Sequence, residues 1–148
     1  MNIVTLEKVQ SYSRDEVRCG IARLLSEFGG MGAFVKPGER VLLKPNMLYA
    51  KPPEAAVTTH PAVVAAVIDL VREAGGTPVV GDSPGVGKLS RVAAKCVILE
   101  VLEETETELV EFSEPMEAAG DGLFRRIELA RPYLEADKRL VELYADPD

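Results

Sequence analysis

The sequence predicts an α/β layer fold: a mostly parallel sheet of about five strands with helices on both faces, in αβα order. Three observations support this. Short apolar runs of strand length alternate with amphipathic helical segments through the first two thirds of the chain. Residues 39–44 (ERVLLK) carry the continuous apolar centre Val41-Leu42-Leu43, as in a strand covered on both faces. The length of 148 residues, with 47% hydrophobic content, suits one domain, which buries about 68 to 70% of its unfolded surface. Residues 1–148 are therefore read as a single α/β domain.

Each element follows from local signals. Residues 2–9 (NIVTLEKV) alternate as a strand does, and Ser13-Arg14-Asp15-Glu16 is a capping box that opens a helix. Val17, Ile21, Leu24, Leu25 and Phe28 share one face of it, and Gly29-Gly30 ends it. After the Pro37-Gly38 turn, residues 39–44 are the candidate central strand. Pro45 and Pro52-Pro53 make residues 45–59 a loop of the length that is either functional or mobile. Pro61 suits a first helical position and pushes His60 out of helical geometry. Val64, Val67, Ile68 and Val71 form the buried stripe of this second helix, Asp69, Arg72 and Glu73 face water, and Gly75-Gly76 closes it.

Residues 77–80 read as a short strand running into Gly81-Asp82-Ser83-Pro84-Gly85. Residues 89–104 read as one helix with Val92, Val97, Val101 and Leu102 inside. Strands follow at 108–112 and 123–129, with 116–122 as the turn region between them, then a short helix near 133–137 and a weak strand at 140–144.

Composition narrows the function classes. A net charge of −7 repels polyanions, so no nucleic-acid or anionic-membrane partner is expected. No apolar run approaches the roughly 20 residues of a membrane span, and MNIVTLEKVQ lacks a signal-peptide pattern, so a cytoplasmic location is expected. Cys19 and Cys96 lack CxxC spacing, so no iron–sulfur cluster and no metal site is expected; both read as small buried or half-buried residues rather than a disulfide. The glutamate-rich segment 100–111 reads as a solvated face.

If strands 41–44 and 77–80 are parallel neighbours joined by the helix from Pro61, both end at one sheet edge, where open α/β sheets place ligands. Lys44 and Asn46, Gly81, Asp82, Ser83 and Gly85, and Thr58, Thr59 and His60 then meet there, beside the amino terminus of the intervening helix. Bland roles stand beside each: Asp82, Ser83, Thr59 and His60 as caps, Gly81 and Gly85 as turn glycines, and Asp82 as simple ion-pair partner to Lys44. Ser83 lacks the Gly-x-Ser-x-Gly elbow of a nucleophile. Residues 81–90 (GDSPGVGKLS) approximate a phosphate-binding loop, but Asp82 stands where its first Gly belongs and Leu89 where its hydroxyl belongs. Lys88 is left as a residue within reach of an anion.

Lys36-Pro37-Gly38, Val41-Leu42-Leu43-Lys44-Pro45-Asn46, Val57-Thr58-Thr59-His60-Pro61 and Gly81-Asp82-Ser83-Pro84-Gly85 together resemble the opening motifs of the domain of unknown function 362 family. The resemblance runs over roughly residues 1–137, with Tyr133-Leu134-Glu135-Ala136-Asp137 similar to the family's next landmark. It implies the front half of a family domain, without the lysine-rich second half and without the ferredoxin-type iron–sulfur module that many members carry. For the family it implies electron-transfer contexts and a distant likeness to enzymes acting on small hydroxy acids.

The leading expectation is a domain that binds a small anion or carboxylate, with the catalytic residues and cofactor unknown. The alternatives are a non-enzymatic interaction subunit, completed by self-association or by a separately encoded second half, and a degenerate nucleotide binder using Gly87-Lys88.

Overall fold

The structure, a computed structural model, describes residues 3–112 and the backbone of residues 115–119 and 126–130. The helix expected near 133–137 and the strand expected at 140–144 lie outside the described residues.

Helix α1 (Arg14–Ser26) starts at Ser13, whose hydroxyl accepts the Glu16 amide at 3.4 Å. The return half of the capping box is diverted: the Glu16 carboxylate accepts instead from the Gln10 amide and, at 2.5 Å, from the Ser11 hydroxyl. The Gly30 amide closes the helix on the Leu25 carbonyl at 2.9 Å, with Gly29 at φ 91°.

Strands β1 (Arg40–Leu43), β2 (Thr77–Asp82) and β3 (Glu108–Glu111) form a parallel sheet in the order β1-β2-β3. Helix α2 (Pro61–Glu73) joins the first two, and α3 (Leu89–Lys95) and α4 (Ile98–Glu104) join the last two. The parallel sheet among the described residues thus has three strands, not about five. Its central strand is β2 rather than the 39–44 segment, because each crossover sets the next strand beyond the last and leaves β1 at the edge.

Two further strands, β4 (Pro115–Ala119) and β5 (Arg126–Ala130), pair antiparallel as a separate ribbon, with Pro115 opposite Ala130 and Ala119 opposite Arg126. The expected turn region at 116–122 therefore supplies a strand, and the strand expected at 123–129 runs over Arg126–Ala130. The short stretch between β4 and β5 suits an antiparallel pair, whereas a parallel return needs a dozen or more residues.

Residues 3–9 form no strand. Their alternation is present, but Glu7 bonds to Arg23 of α1 at 2.6 Å and Val9 packs on Gly20, so the segment follows a helix rather than a sheet edge. Val4 and Leu6 point outward, 91% and 96% exposed.

The single helix expected over 89–104 is broken between α3 and α4, with Val97 at φ 65°. At about 100° per residue, Leu89, Val92, Ala93 and Cys96 share one stripe, whereas Ile98 and Leu102 would lie on the opposite side of a continuous helix. The break turns both sets inward, and all six are buried. A β-branched residue in the left-handed region costs of order 1–3 kcal/mol, which the burial offsets.

Leu43, Val80 and Leu109 are register neighbours across the sheet, and they pack with Val64 and Ile68 of α2, Leu89 and Val92 of α3, and Ile98 and Leu102 of α4. Helix α1 packs against α2. That contact draws in two of the residues expected to face water: Arg14 grips both oxygens of Asp69 at 2.6 and 2.8 Å, and Arg18 bonds Glu73 at 3.0 Å. The third, Arg72, reaches the Thr105 carbonyl and, at 3.1 Å, the Thr107 hydroxyl. Cys96 is buried as expected and Cys19 is exposed; both are free thiols.

Gly81 is a close-packing position. A Cβ there would sit 2.7 Å from the Val110 carbonyl oxygen and Cγ2, and 2.8 Å from a Phe112 ring carbon. Gly81→Ala is accordingly expected to lower stability by about 1–3 kcal/mol through over-packing, read as a lower urea midpoint with an unchanged slope.

Candidate functional site

The register pairs Leu43 with Val80, which brings the carboxyl ends of β1 and β2 side by side. Asp82, the last residue of β2, is 3% exposed. A carboxylate so placed requires partners. It has two: Lys44 Nζ lies 2.6 Å from Oδ1, and the Met47 amide donates to Oδ2 at 2.7 Å. Met47 is fully buried in the core, whereas the Lys44 side chain remains 45% exposed. The lysine side chain is thus anchored on one side by a buried carboxylate.

Asn46 and the segment before α2 are clipped together. The Asn46 amide donates to Thr59 Oγ1 at 2.9 Å, the Thr59 amide donates to the Asn46 carbonyl at 2.9 Å, and Asn46 Nδ2 donates to the Val57 carbonyl at 3.0 Å. The 45–59 loop is thus tied near both ends. Lys44 and Thr59 lie on a groove of about 330 Å³, whose other walls, Leu42, Leu43, Pro45, Val63, Val64 and Val67, are apolar.

His60 and Thr58 face a different cavity. His60 caps α2: its Nδ1 accepts the Ala62 amide at 3.2 Å, and its ring stacks on Tyr12 with centroids 3.7 Å apart at 14°. With Thr58, Tyr12, Pro53, Glu54 and Ala56 it lines a space of about 420 Å³. Burial pulls the imidazole below its ordinary pKa, against a weaker upward pull from Glu54. Among the described residues the buried Thr58 hydroxyl makes no well-formed hydrogen bond, and it lies against the Cys96 thiol. Burial pushes the nearby Cys96 thiol up.

The α2 amino terminus offers less to an anion than its position suggests. Pro61 has no N–H, the Ala62 amide is taken by His60, and the Val63 amide bonds to the His60 carbonyl at 2.9 Å.

The remaining expected residues are dispersed. Gly81 packs on β3, Ser83 is exposed, Gly85 lies beside Leu48, and Lys88 sits exposed before α3 without capping it. The structure therefore brings Lys44, Asn46, Thr59 and Asp82 together and sets Thr58 and His60 in a second group. Tyr12, Glu54 and the Met47 amide were missed by sequence reasoning. Only the Ser13-Arg14-Asp15-Glu16 capping box marks that Tyr12 stands just before α1, and nothing in it points to His60.

Among the described residues no group of His, Cys, Asp and Glu could hold a metal ion, and no helix is long and apolar enough to cross a membrane.

A parallel α/β unit with a lysine–aspartate pair at the carboxyl ends of adjacent strands is the class of protein that fold and site define. Within that class, the family model "Domain of unknown function (DUF362)" matches residues 41–141, and the chain belongs to that family. It is also 42% identical, over 134 residues, to a thylakoid-associated protein of Synechocystis sp.. The match covers 90% of this chain and 42% of that relative, so the chain spans less than half the relative's length. No solved structure matches.

Because Lys44 and Asp82 share one contact, Lys44→Ala and Asp82→Ala are expected to be non-additive. A double-mutant cycle followed by urea unfolding should give a coupling within about 0.5–3 kcal/mol, toward the lower end since the Lys44 side chain is 45% exposed.

Proposed function

We propose that this chain binds a small carboxylate with an apolar body, in the groove beside β1. The observation that carries the reading is the pairing of Lys44 with the buried Asp82, beside a groove lined by Lys44, Thr59 and otherwise apolar residues. An apolar pocket with a few convergent polar groups is the ordinary form of a small-ligand site. The pairing also bears on which anion is preferred. Asp82 cancels much of the long-range field of Lys44, so a phosphate dianion gains little, while a monoanion can accept one charge-assisted hydrogen bond and bury its hydrocarbon part.

Isovalerate at millimolar concentration is therefore expected to raise the melting temperature of the wild type, and inorganic phosphate at the same concentration to raise it much less. Lys44→Met, which keeps the apolar stem, should abolish the isovalerate shift. An unchanged shift in Lys44→Met, or none in the wild type, would remove the reading.

Residues 3–9 favour a second reading, as an interaction subunit that self-associates. Among the described residues their backbone makes no hydrogen bond, and Val4 and Leu6 stand exposed on the segment that lies along α1. Light scattering is expected to report a dimer that Val4→Lys with Leu6→Lys converts to monomer; a monodisperse monomer of the wild type at high concentration counts against it.

A further inference from the structure

His60, the chain's one histidine, caps α2 in a way that depends on its protonation state. Nδ1 can accept the Ala62 amide only while it carries a lone pair, so the capping form is neutral imidazole with its proton on Nε2. Among the described residues that amide has no other acceptor. The groups around the ring are Tyr12, from the segment before α1, and Glu54, from the short turn at Pro53–Ala55, with Thr58, Pro53 and Ala56. Glu54 is the one charged group among them. The next residue, Thr59, makes both reciprocal bonds to Asn46, two residues from Lys44.

We propose that His60 is a proton-operated latch on the loop that carries Lys44. In the neutral form the imidazole caps α2, stacks on Tyr12 and holds Thr59 against Asn46. Protonation at Nδ1 removes the acceptor, leaves the Ala62 amide without a partner and puts a cation at the positive end of the helix. The Thr59–Asn46 clip then loosens, and the groove beside Lys44 opens with it. Only this last consequence rests on the carboxylate-binding reading; the latch itself stands on the cap, the stack and the clip.

The direction in pH follows from the lowered His60 pKa. The stabilisation is fully present above the unfolded histidine value of about 6.5. It fades as pH falls from there through the lower folded value, because the unfolded chain binds the proton first.

Hydrogen exchange at the Asn46 and Thr59 amides, corrected for intrinsic rates, tests the latch at pH 7.5 and 5.0 in the wild type and in His60→Asn. Asparagine is among the strongest N-caps and does not titrate in this range. Protection in the wild type is expected to fall about fivefold, as on loss of an N-cap, while His60→Asn holds its protection. Equal losses in both proteins, or none in the wild type, would overturn the proposal. An NMR titration of the wild type needs no variant: the His60 ring and the two amides should titrate together, and separate midpoints would also overturn it. Isovalerate binding at both pH values separates the two readings. A clip that loosens only in the wild type while isovalerate binds at neither pH upholds the latch and sinks the carboxylate site.

Discussion

The buried carboxylate of Asp82 is the constraint from which the arrangement at the sheet edge follows. At the end of the central strand it is almost wholly shielded from bulk water, and leaving it unpaired would cost several kcal/mol. The two partners that satisfy it come from the same short segment after β1, the Lys44 ammonium and the Met47 amide. The chain beyond β1 must therefore turn across the end of β2 instead of running on past it. That turn seats the Met47 side chain in the core and leaves Asn46, between them, to meet the residues just before α2. One buried charge thus couples the ends of two strands, the start of a helix and a core side chain.

The same coupling explains why α2 is buried nearly all round. One side contributes Val64 and Ile68 to the sheet's row of Leu43, Val80 and Leu109. Its other side is covered by α1, where Arg14 and Arg18 take Asp69 and Glu73. These two ion pairs are partly exposed and contribute little stability each. Their value lies in orientation, since a bidentate arginine fixes the angle at which α1 crosses α2.

The β1–α2–β2 unit was legible because each boundary is a local matter. Pro61 fixes a first turn, Gly75-Gly76 a stop, and Val41-Leu42-Leu43 a strand, though one that is half-buried at the sheet edge rather than covered on both faces, and all three act within a few residues of themselves. The convergence of Lys44, Asn46, Thr59 and Asp82 was legible for the same reason, since a parallel crossover returns the chain to the same sheet edge. What stayed hidden depends on contacts distant in the chain. The break at Val97 occurs because two apolar stripes of opposite phase must reach one core, which window-by-window periodicity does not reveal. The diversion of residues 3–9 onto α1 turns on the missing side chain of Gly20. The stack of Tyr12 on His60 joins two residues with no shared pattern, so His60 could be placed at the α2 terminus but not assigned its neighbour.

The glycine-rich stretch from Gly81 to Gly87 divides into two parts with different physics. A phosphate cradle needs successive amides aimed at one point and a helix long enough to orient them. Here Gly87 takes φ 92° and α3 spans seven residues, so the second part serves as an entry into a short helix with Lys88 left exposed. The first part is committed to the fold: Gly81 admits the backbone of β3 and Asp82 anchors the opposite loop. A phosphate arriving at this edge would meet the Asp82 charge directly behind the only lysine fixed there by an ion pair among the described residues. Charge of that sign and depth disfavours a polyanion whatever the spelling of the loop.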